Sequence, residues 1–384
     1  MSTPSVARGG ASLLFLTNGL LFANLLPRYP EIKEAFGLSG TEFGFMVAMA
    51  GAGAICASAL PSPLIGRFGA RTVAIVSSLS LASLLVALGF APNALVFGFL
   101  LILLGFSDAI TDAAQNVLGM QAQRMGKNTI INSLHALWSA GAVLGGVLGT
   151  FAASMAIPLS VHLAVISIPT SLVVLVAGKM CAVIPSEPNQ PKISSRRAAW
   201  GALIPLGVLA LSGVALEDVA NNWSALFLRS EYDAVGKAGS AFVLFMIGQF
   251  VGRFSGDLLT DRFGMRAVTR TGGLLVLIGM SIVIFTTTPL SAISGFAITG
   301  FGCSTLVPAA YAASDAVPGW EGGMGIALLG WIMRVGLLVT SPLMGTLSDA
   351  ISLRFAFVLP LTMGLVAAFI AQRYLADSSV EQPR

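Results

Sequence analysis

The sequence predicts an all-α polytopic membrane protein with twelve transmembrane helices in two pseudo-symmetric six-helix bundles. Three observations predict it: an excess of apolar residues, a lopsided distribution of basic residues between alternate loops, and a loop motif that occurs twice. Of the 384 residues, 55% are hydrophobic and 10% are charged, against roughly 25% charged in a soluble domain. So few charges cannot cover a water-facing surface, and a mean hydropathy of +0.87 agrees. Lipid is therefore the solvent for most of this surface. A spanning helix takes about 20 residues, so twelve use about 240 and leave roughly 11 for each loop or tail. That remainder holds no soluble catalytic domain, nucleotide-binding cassette or ectodomain.

The spans follow in order. The first covers residues 10–30; its apolar run from Ala11 to Pro27 has no small-residue cleavage site after it and reads as a helix, not a removed signal peptide. The second, 41–63, has Ser39 and Thr41 as candidate N-caps. The third (72–90) and fourth (95–121) are parted by the turn Ala91-Pro92-Asn93, and the fifth and sixth cover 129–153 and 158–183. The stretch from Pro185 to Arg197, with three prolines and several charges, cannot continue a helix. It divides the chain into a first bundle (1–184), a cytoplasmic linker (185–198) and a second bundle (199–384). The remaining spans are 199–227, 238–259, 267–287, 290–314, 321–345 and 351–374, with Thr288-Pro289 turning between the ninth and tenth.

Charge tests this layout, because cytoplasmic loops of membrane proteins carry an excess of Lys and Arg. With a cytoplasmic N-terminus, fifteen of the 21 basic residues fall inside, from Arg8, Arg67 and Arg71 to Arg253, Arg262 and Arg373. Five fall outside (Arg28, Lys33, Arg229, Lys237 and Arg354), and Arg334 sits in mid-span. The expected location is the cell inner (plasma) membrane with both termini cytoplasmic. Cys56, Cys181 and Cys303 are isolated, with no CxxC pair, and read as small buried apolar residues. No cofactor and no metal site is indicated.

The repeat is read from two loops. One runs Pro63-Leu-Ile-Gly-Arg67-Phe-Gly69-Ala-Arg71 and the other Gly256-Asp-Leu-Leu-Thr-Asp261-Arg262-Phe-Gly264-Met-Arg266. Arg-Phe-Gly-x-Arg stands at equivalent places in the two halves, as duplication of a six-helix unit would leave it. These loops resemble the short loop of the major facilitator superfamily, roughly Gly-x-Leu-x-Asp-Arg-x-Gly-Arg. Gly256, Leu258, Asp261, Arg262, Gly264 and Arg266 match position by position. In the first copy Leu64, Arg67, Gly69 and Arg71 match, and Gly66 stands in place of the Asp. The resemblance implies the major facilitator fold, a secondary transporter rather than an enzyme, and a gating role for this motif. The stretches Asp112-Ala-Ala-Gln-Asn116 and Asn132-Ser-Leu-His135-Ala-Leu-Trp138-Ser-Ala-Gly141 are similar to the fucose/proton symporter branch. That implies a small polar, sugar-like solute. Antiporters of the superfamily usually carry a Gly-Pro element in the fifth helix; here Gly141-Ala-Val-Leu-Gly145-Gly146 has glycines and no proline. The motif's charges can also serve as topology signals alone.

The ionisable residues inside spans are Asp108, Asp112, His135, Glu217, Asp218 and Arg334. Each Asp or Arg at a helix centre costs about 2.5–3.5 kcal/mol against lipid. Such groups face a wet cavity or each other and are functional candidates. Asp108 and Asp112 are four residues apart on one helical face, Asn116 continues that face, and Gln115 lies beside it. Two carboxylates this close repel when both are charged, and one proton relieves the repulsion, which is the chemistry of proton coupling. Arg334 has three readings: an ion pair with Asp112 or Asp108, direct binding of an anionic solute, or helix packing. His135 reads either as a proton shuttle or as a hydrogen-bonded structural residue, and His162 as structural. Late in the seventh helix come Glu217, Asp218, Asn221, Asn222 and Trp223. Adjacent residues point apart on a helix, so at most one of the two acids is expected in the cavity. Trp223 either caps a sugar-like ring or anchors the helix at the interface, and Asn18 and Trp138 complete the expected solute wall.

The function expected is proton-coupled uptake of a small polar solute by alternating access, through a monomer in the bilayer that binds no nucleic acid. The alternative on the same fold is a proton-driven drug or metabolite efflux antiporter. A solute sensor without flux and an intramembrane aspartyl hydrolase are weaker readings; acids of the latter come from different helices, unlike Asp108 and Asp112. No Walker, HExxH or GxSxG pattern is present.

Overall fold

The computed structural model describes residues 3–126, 130–181, 200–315, 317 and 324–375. Among the described residues are twelve helices long and apolar enough to cross a membrane. They are α1 (Pro4–Ala35), α2 (Gly40–Ala57), α3 (Ala70–Leu88), α4 (Ala94–Met125), α5 (Ser133–Ser154) and α6 (Leu159–Met180). Then follow α7 (Leu203–Tyr232), α8 (Ser240–Phe263), α9 (Met265–Phe285), α10 (Pro289–Ser314), α11 (Leu328–Ala350) and α12 (Leu353–Tyr374). The linker expected at 185–198 lies outside the described residues.

The chain forms two compact units. The first holds residues 1–38, 45–188 and 235–240; the second holds 39–44, 189–234 and 241–384. Short segments thus group with the unit opposite in sequence. Within the second unit, Asp349 near the end of α11 accepts the backbone N–H groups of Gly40 and Thr41, each at 2.7 Å. Those N–H groups open a helix and have no partner inside it, so a carboxylate there meets both the orphan donors and the positive end of the helix dipole.

Several spans are broken where the sequence reading ran them straight, and each break carries proline. α1 passes through a 3₁₀ turn, Leu26–Arg28, into the short helix Tyr29–Ala35, at Pro27 and Pro30. The second span ends at Ala57, not residue 63, and Pro61 opens the separate helix Pro61–Phe68. α10 breaks between Cys303 and Leu306, ahead of Pro308. Proline has no N–H for the preceding turn and its ring crowds the carbonyl four residues back, so the helix restarts with proline in its first turn.

Small residues set the closest helix contacts. In the first unit, a Cβ added at Gly141 would land on the carbonyl oxygen of Leu16, and one at Gly149 would meet that of Asn24. Glycine at every fourth position of α5 lets the backbone of α1 approach, which is how helices associate when lipid competes for apolar surface. The glycines of the fifth helix are thus contact positions against α1.

The repeated motif has one conformation in both halves. Gly69 has φ +81° and ψ +145°, and Gly264 has φ +82° and ψ +151°. This region is closed to residues with a Cβ, which accounts for glycine at both places. Each glycine ends one helix and starts the next. Cys181 and Cys303 are buried as expected, whereas Cys56 is exposed because its side of α2 is turned away from the packed interior.

A comparison of neighbouring glycines isolates the backbone effect, since neither Gly66 nor Gly69 has any atom within 4 Å of an added Cβ. Gly69→Ala is expected to destabilise the protein by about 1–3 kcal/mol through strain alone. Gly66→Ala, inside the helix Pro61–Phe68, is expected to stabilise it by about 0.5–1 kcal/mol. Thermal unfolding in detergent should order the three proteins Gly66→Ala, wild type, Gly69→Ala from most to least stable.

Candidate functional site

In the first unit a polar face is assembled from α1, α4 and α5. Along α1, Phe15, Asn18 and Phe22 recur at helical spacing and meet α5. The Phe15 ring stands edge-on to His135 at 5.3 Å, and Phe22 lies 5.7 Å from the Trp138 ring. Asn18, between them, links three helices. Its Nδ2 donates to Asp108 Oδ1 on α4 at 3.1 Å, and its Oδ1 accepts from Trp138 Nε1 at 2.6 Å. An indole N–H can only donate, so it fixes which end of the amide is oxygen and turns the amide donor toward the carboxylate.

Asp108 is half-buried and Asp112, one turn further along α4, is exposed. Asn116 Nδ2 donates to Asp112 Oδ1 at 3.0 Å and to the Asp112 carbonyl at 2.9 Å. Asp108, Asp112 and Asn116 therefore form one stripe, as their spacing predicts. Exposed carboxylates in the middle of a span require water, because against lipid each would cost about 2.5–3.5 kcal/mol. Gln115 is not part of that stripe: it is buried against α3, with Nε2 at 3.5 Å from Ser78 Oγ. The adjacent position points to a different helix, which removes Gln115 from the exposed wall. His135 is exposed at the end of the row on α5.

In the second unit the acids of α7 divide between two neighbours. Glu217 pairs with Arg253 of α8 at 2.9 Å. Asp218 instead accepts from Ser341 of α11 at 2.7 Å and from Asn222 at 2.8 Å. The two adjacent acids thus turn to different helices, as their spacing predicts. Arg253, grouped by sequence with the cytoplasmic charges, lies within α8. Trp223 is 1% exposed, donates from Nε1 to Ser341 Oγ at 3.2 Å, and meets Phe43 edge-on at 5.3 Å. Its ring presents no open face, so in this conformation it neither caps a solute nor anchors an interface. Asn221 Oδ1 is buried without a hydrogen-bond partner. Arg334 is half-buried on α11. Ser341 was missed by sequence reasoning, and a lone serine in an apolar run carries no signal that would have found it.

Away from these faces each unit has a clasp between its first and last helices. Arg28, 2% exposed, donates to Glu31 at 2.6 Å, to the Ile157 carbonyl at 2.8 Å and to His162 Nδ1 at 3.3 Å. Since a guanidinium only donates, Nδ1 accepts, and Nε2 carries the proton toward Asn24 Oδ1 at 3.0 Å. His162 is structural. In the second unit Arg354 of α12 reaches Glu231 at 2.8 Å and the carbonyls of Ile284 and Thr286 at 3.0 and 2.6 Å.

The loop motif sits at the ends of helices. Arg67, Asp261 and Arg262 are exposed, and each arginine lies over the adjoining Phe ring, at 5.2 Å for Arg67 and 5.3 Å for Arg262. Arg266 Nε donates to the Leu375 carbonyl at 2.6 Å, at the C-terminus of α12. At the end of α6, burial pushes the Cys181 thiol up to about 11, against the opposing effect of the Arg71 charge. Arg266 thus meets a carbonyl at the end of its unit's sixth helix, where a cation complements the helix dipole. Gly256 is buried beside Thr305.

Twelve apolar spans, a duplicated loop and polar stripes within the spans define a polytopic membrane transporter. The family model of the Major Facilitator Superfamily matches residues 11–230 and 210–384. The chain belongs to that superfamily, whose members are transporters and not enzymes. It is 27% identical over 375 residues to an uncharacterized transporter, y4wD, of Sinorhizobium fredii, covering 94% of this chain and 96% of that one. It is 25% identical over 364 residues to the membrane protein MosC of Rhizobium meliloti, covering 92% and 86%. Among solved structures, the nucleoside transporter NupG superposes with a TM-score of 0.77 at 13% identity, covering 96% of this chain and 98% of that one. A bacterial homologue of the human lysosomal transporter Spinster, inward-facing and occupied, superposes with a TM-score of 0.75 at 15% identity, covering 98% of each. These likenesses establish the fold.

The Glu217–Arg253 pair yields a stability test. The side chains are 23% and 29% exposed, so removing either partner alone is expected to cost about 1–3 kcal/mol, between the exposed and buried limits. The double variant Glu217→Gln with Arg253→Met removes both charges and should recover most of that loss. Unfolding midpoints of the three variants in detergent check the cycle; equal losses in singles and double would mean the ion pair itself supplies the stability.

Proposed function

We propose that this transporter is a secondary one, which couples uptake of a small polar solute to proton entry by alternating access. The observation that carries the reading is the stripe on α4. Asp108 and Asp112 lie one turn apart in mid-span, one held by the Asn18–Trp138 relay and the other exposed beside Asn116. Protonation of either changes the charge of a face that must otherwise stay wet, and a transporter can use that change to permit a helix rearrangement closed to the charged form. Entry of one charge supplies about 2.3 kcal/mol per 100 mV of membrane potential. In this reading Asp112, exposed, exchanges the proton; Asp108 holds the Asn18 amide in place; Arg334 is the counter-charge of the cycle; His135 relays protons at the edge of the face.

The solute contacts proposed are Asn18, Asn116 and Trp138, which combine amide donors and acceptors with an aromatic ring, as a sugar-like molecule requires. Glu217, Asn221 and Trp223 are proposed to serve the second unit, where Glu217 and Trp223 tie α7 to α8 and α11. The resemblance of Asp112–Asn116 and of residues 132–141 to fucose/proton symporters points the same way. The Arg-Phe-Gly-x-Arg loops act on gating through the helix ends they join. The protein is proposed to work as a monomer in the inner membrane with both termini cytoplasmic. Efflux driven by protons is the second reading, and the same acids would serve it.

Purified protein in proteoliposomes with an internal pH dye decides between these. Sugars, nucleosides, amino acids and drugs are added in turn, and each hit is repeated with Asp112→Asn. Internal acidification on external solute addition, abolished in the variant, is the expected result. Alkalinisation on addition of a drug would favour the antiporter. Solute flux without proton movement, unchanged by Asp112→Asn, would overturn proton coupling.

A further inference from the structure

Between α7 and α11, inside the second unit, lies a carboxylate with a hydrogen bond on each oxygen. Asp218 accepts on both oxygens, Oδ1 from Asn222 Nδ2 at 2.8 Å and Oδ2 from Ser341 Oγ at 2.7 Å. The Ser341 hydroxyl in turn accepts from Asn222 Nδ2 and from Trp223 Nε1, each at 3.2 Å. Amide and indole N–H groups only donate, and a hydroxyl has two lone pairs and one proton. Both lone pairs of Ser341 are therefore taken, and its proton is directed at Asp218. The arrangement suits a carboxylate that accepts and has nothing to donate.

Among the described residues, the charged and titratable groups around α7 are committed elsewhere or lie at a distance. Glu217, its sequence neighbour, pairs with Arg253 of α8. On α12, Arg354 is held by Glu231, Tyr232 and two carbonyls, and Arg373 and Tyr374 close the helix. On α10, Cys303 is buried and the Tyr311 hydroxyl faces Met333 at 4.0 Å. On α11, Asp349 binds the backbone of Gly40 and Thr41. Arg334 stands seven residues before Ser341, about 10 Å along the helix axis. Asp218 is thus held by neutral dipoles. A carboxylate held so in a membrane span is a functional candidate by default.

A proton on Asp218 would turn one acceptor into a donor, and Ser341 has no lone pair left to receive it. An acceptor of the right kind is close by in sequence. Asn221 Oδ1, three residues on and on the same side of α7, is buried without a partner. We propose that Asp218 is a second proton-binding site of the transport cycle, with Asn221 Oδ1 as the acceptor for its O–H and Ser341 as the link to α11. The proposal rests on the proton-coupled reading above and extends it to the second unit. One O–H bond forms on the carboxylate and one breaks in the hydronium that delivers the proton; release to water reverses this. On protonation the Ser341 proton loses its charged acceptor, and the bonds that Asn222 and Trp223 make to that hydroxyl are free to rearrange. The contact between α7 and α11 therefore differs in the two protonation states.

The test needs no solute. Infrared difference spectra are recorded between neutral and acid buffer on purified full-length protein in lipid, for wild type, Asp218→Asn, Asp108→Asn and Asn221→Leu. The expected result is a protonated-carboxyl band with a component lost in Asp218→Asn, kept in Asp108→Asn and shifted in frequency in Asn221→Leu. A spectrum unchanged by Asp218→Asn overturns the proposal. Should that variant not fold, Ser341→Ala keeps the carboxylate, and a band unshifted there overturns the proposal equally. With a solute from the proteoliposome screen, Asp218→Asn is expected to retain solute exchange at equal pH and to lose solute-driven proton movement. Intact proton movement in that variant sinks the second site alone, whereas its absence in wild type sinks the coupling reading itself.

Discussion

A polar group inside a membrane span must find water or a partner, and the interior of this protein is organised by that requirement. The two units meet it differently. On α4 the acids share a face with an asparagine, Asp108 half-buried and Asp112 exposed. On α7 the acids turn inward to separate helices, Glu217 to an arginine and Asp218 to a saturated hydroxyl. The clasps built on Arg28 and Arg354 follow the same rule at the helix ends. Each guanidinium is given a carboxylate and backbone carbonyls, so that charges otherwise expensive at that depth instead tie the first helix of a unit to its sixth.

Packing supports these arrangements. Lipid competes with protein for apolar surface, so close approach of backbones does what a hydrophobic core does in water. The glycines of α5 bring α1 near enough for Trp138 to reach Asn18, and the amide reaches Asp108 only because its oxygen is already held. The contact is a chain of donors with a fixed sense, indole to amide to carboxylate. Reversing the amide would set oxygen against oxygen at Asp108 and N–H against N–H at Trp138.

Much of the fold was legible because its determinants are local. Apolar runs of spanning length, turns at Pro92 and Pro289 and the repeated Arg-Phe-Gly-x-Arg gave the twelve helices and the duplication. The repeat carries a backbone requirement too, since Gly69 and Gly264 adopt the same conformation that only glycine tolerates. Within the site, the α4 stripe was readable from helical spacing. What was not readable depends on which helix stands opposite. Gln115 lies next to the stripe in sequence and turns to Ser78; Trp223 looks like a ring for stacking and is sealed under Phe43. Arg253 counts as a topology charge until Glu217 is found across from it. Ser341, one serine among apolar neighbours, becomes important only through the three side chains that converge on it.

The contrast between the two units bears on mechanism. An exposed carboxylate such as Asp112 is open to proton exchange with water. A half-buried carboxylate such as Asp218, with a hydrogen bond on each oxygen, is more constrained, and a proton there changes the bonds around it. A coupled transporter needs both properties: access, so that the ion gradient is sampled, and constraint, so that occupancy alters which helix packing is stable. In the coupling proposed above, the exposed face on α4 supplies access and the hydrogen-bonded network on α7 supplies constraint. The duplicated fold supplies the means, since two copies of a six-helix unit can diverge in their polar interiors while keeping the turns and helix ends that made them alike.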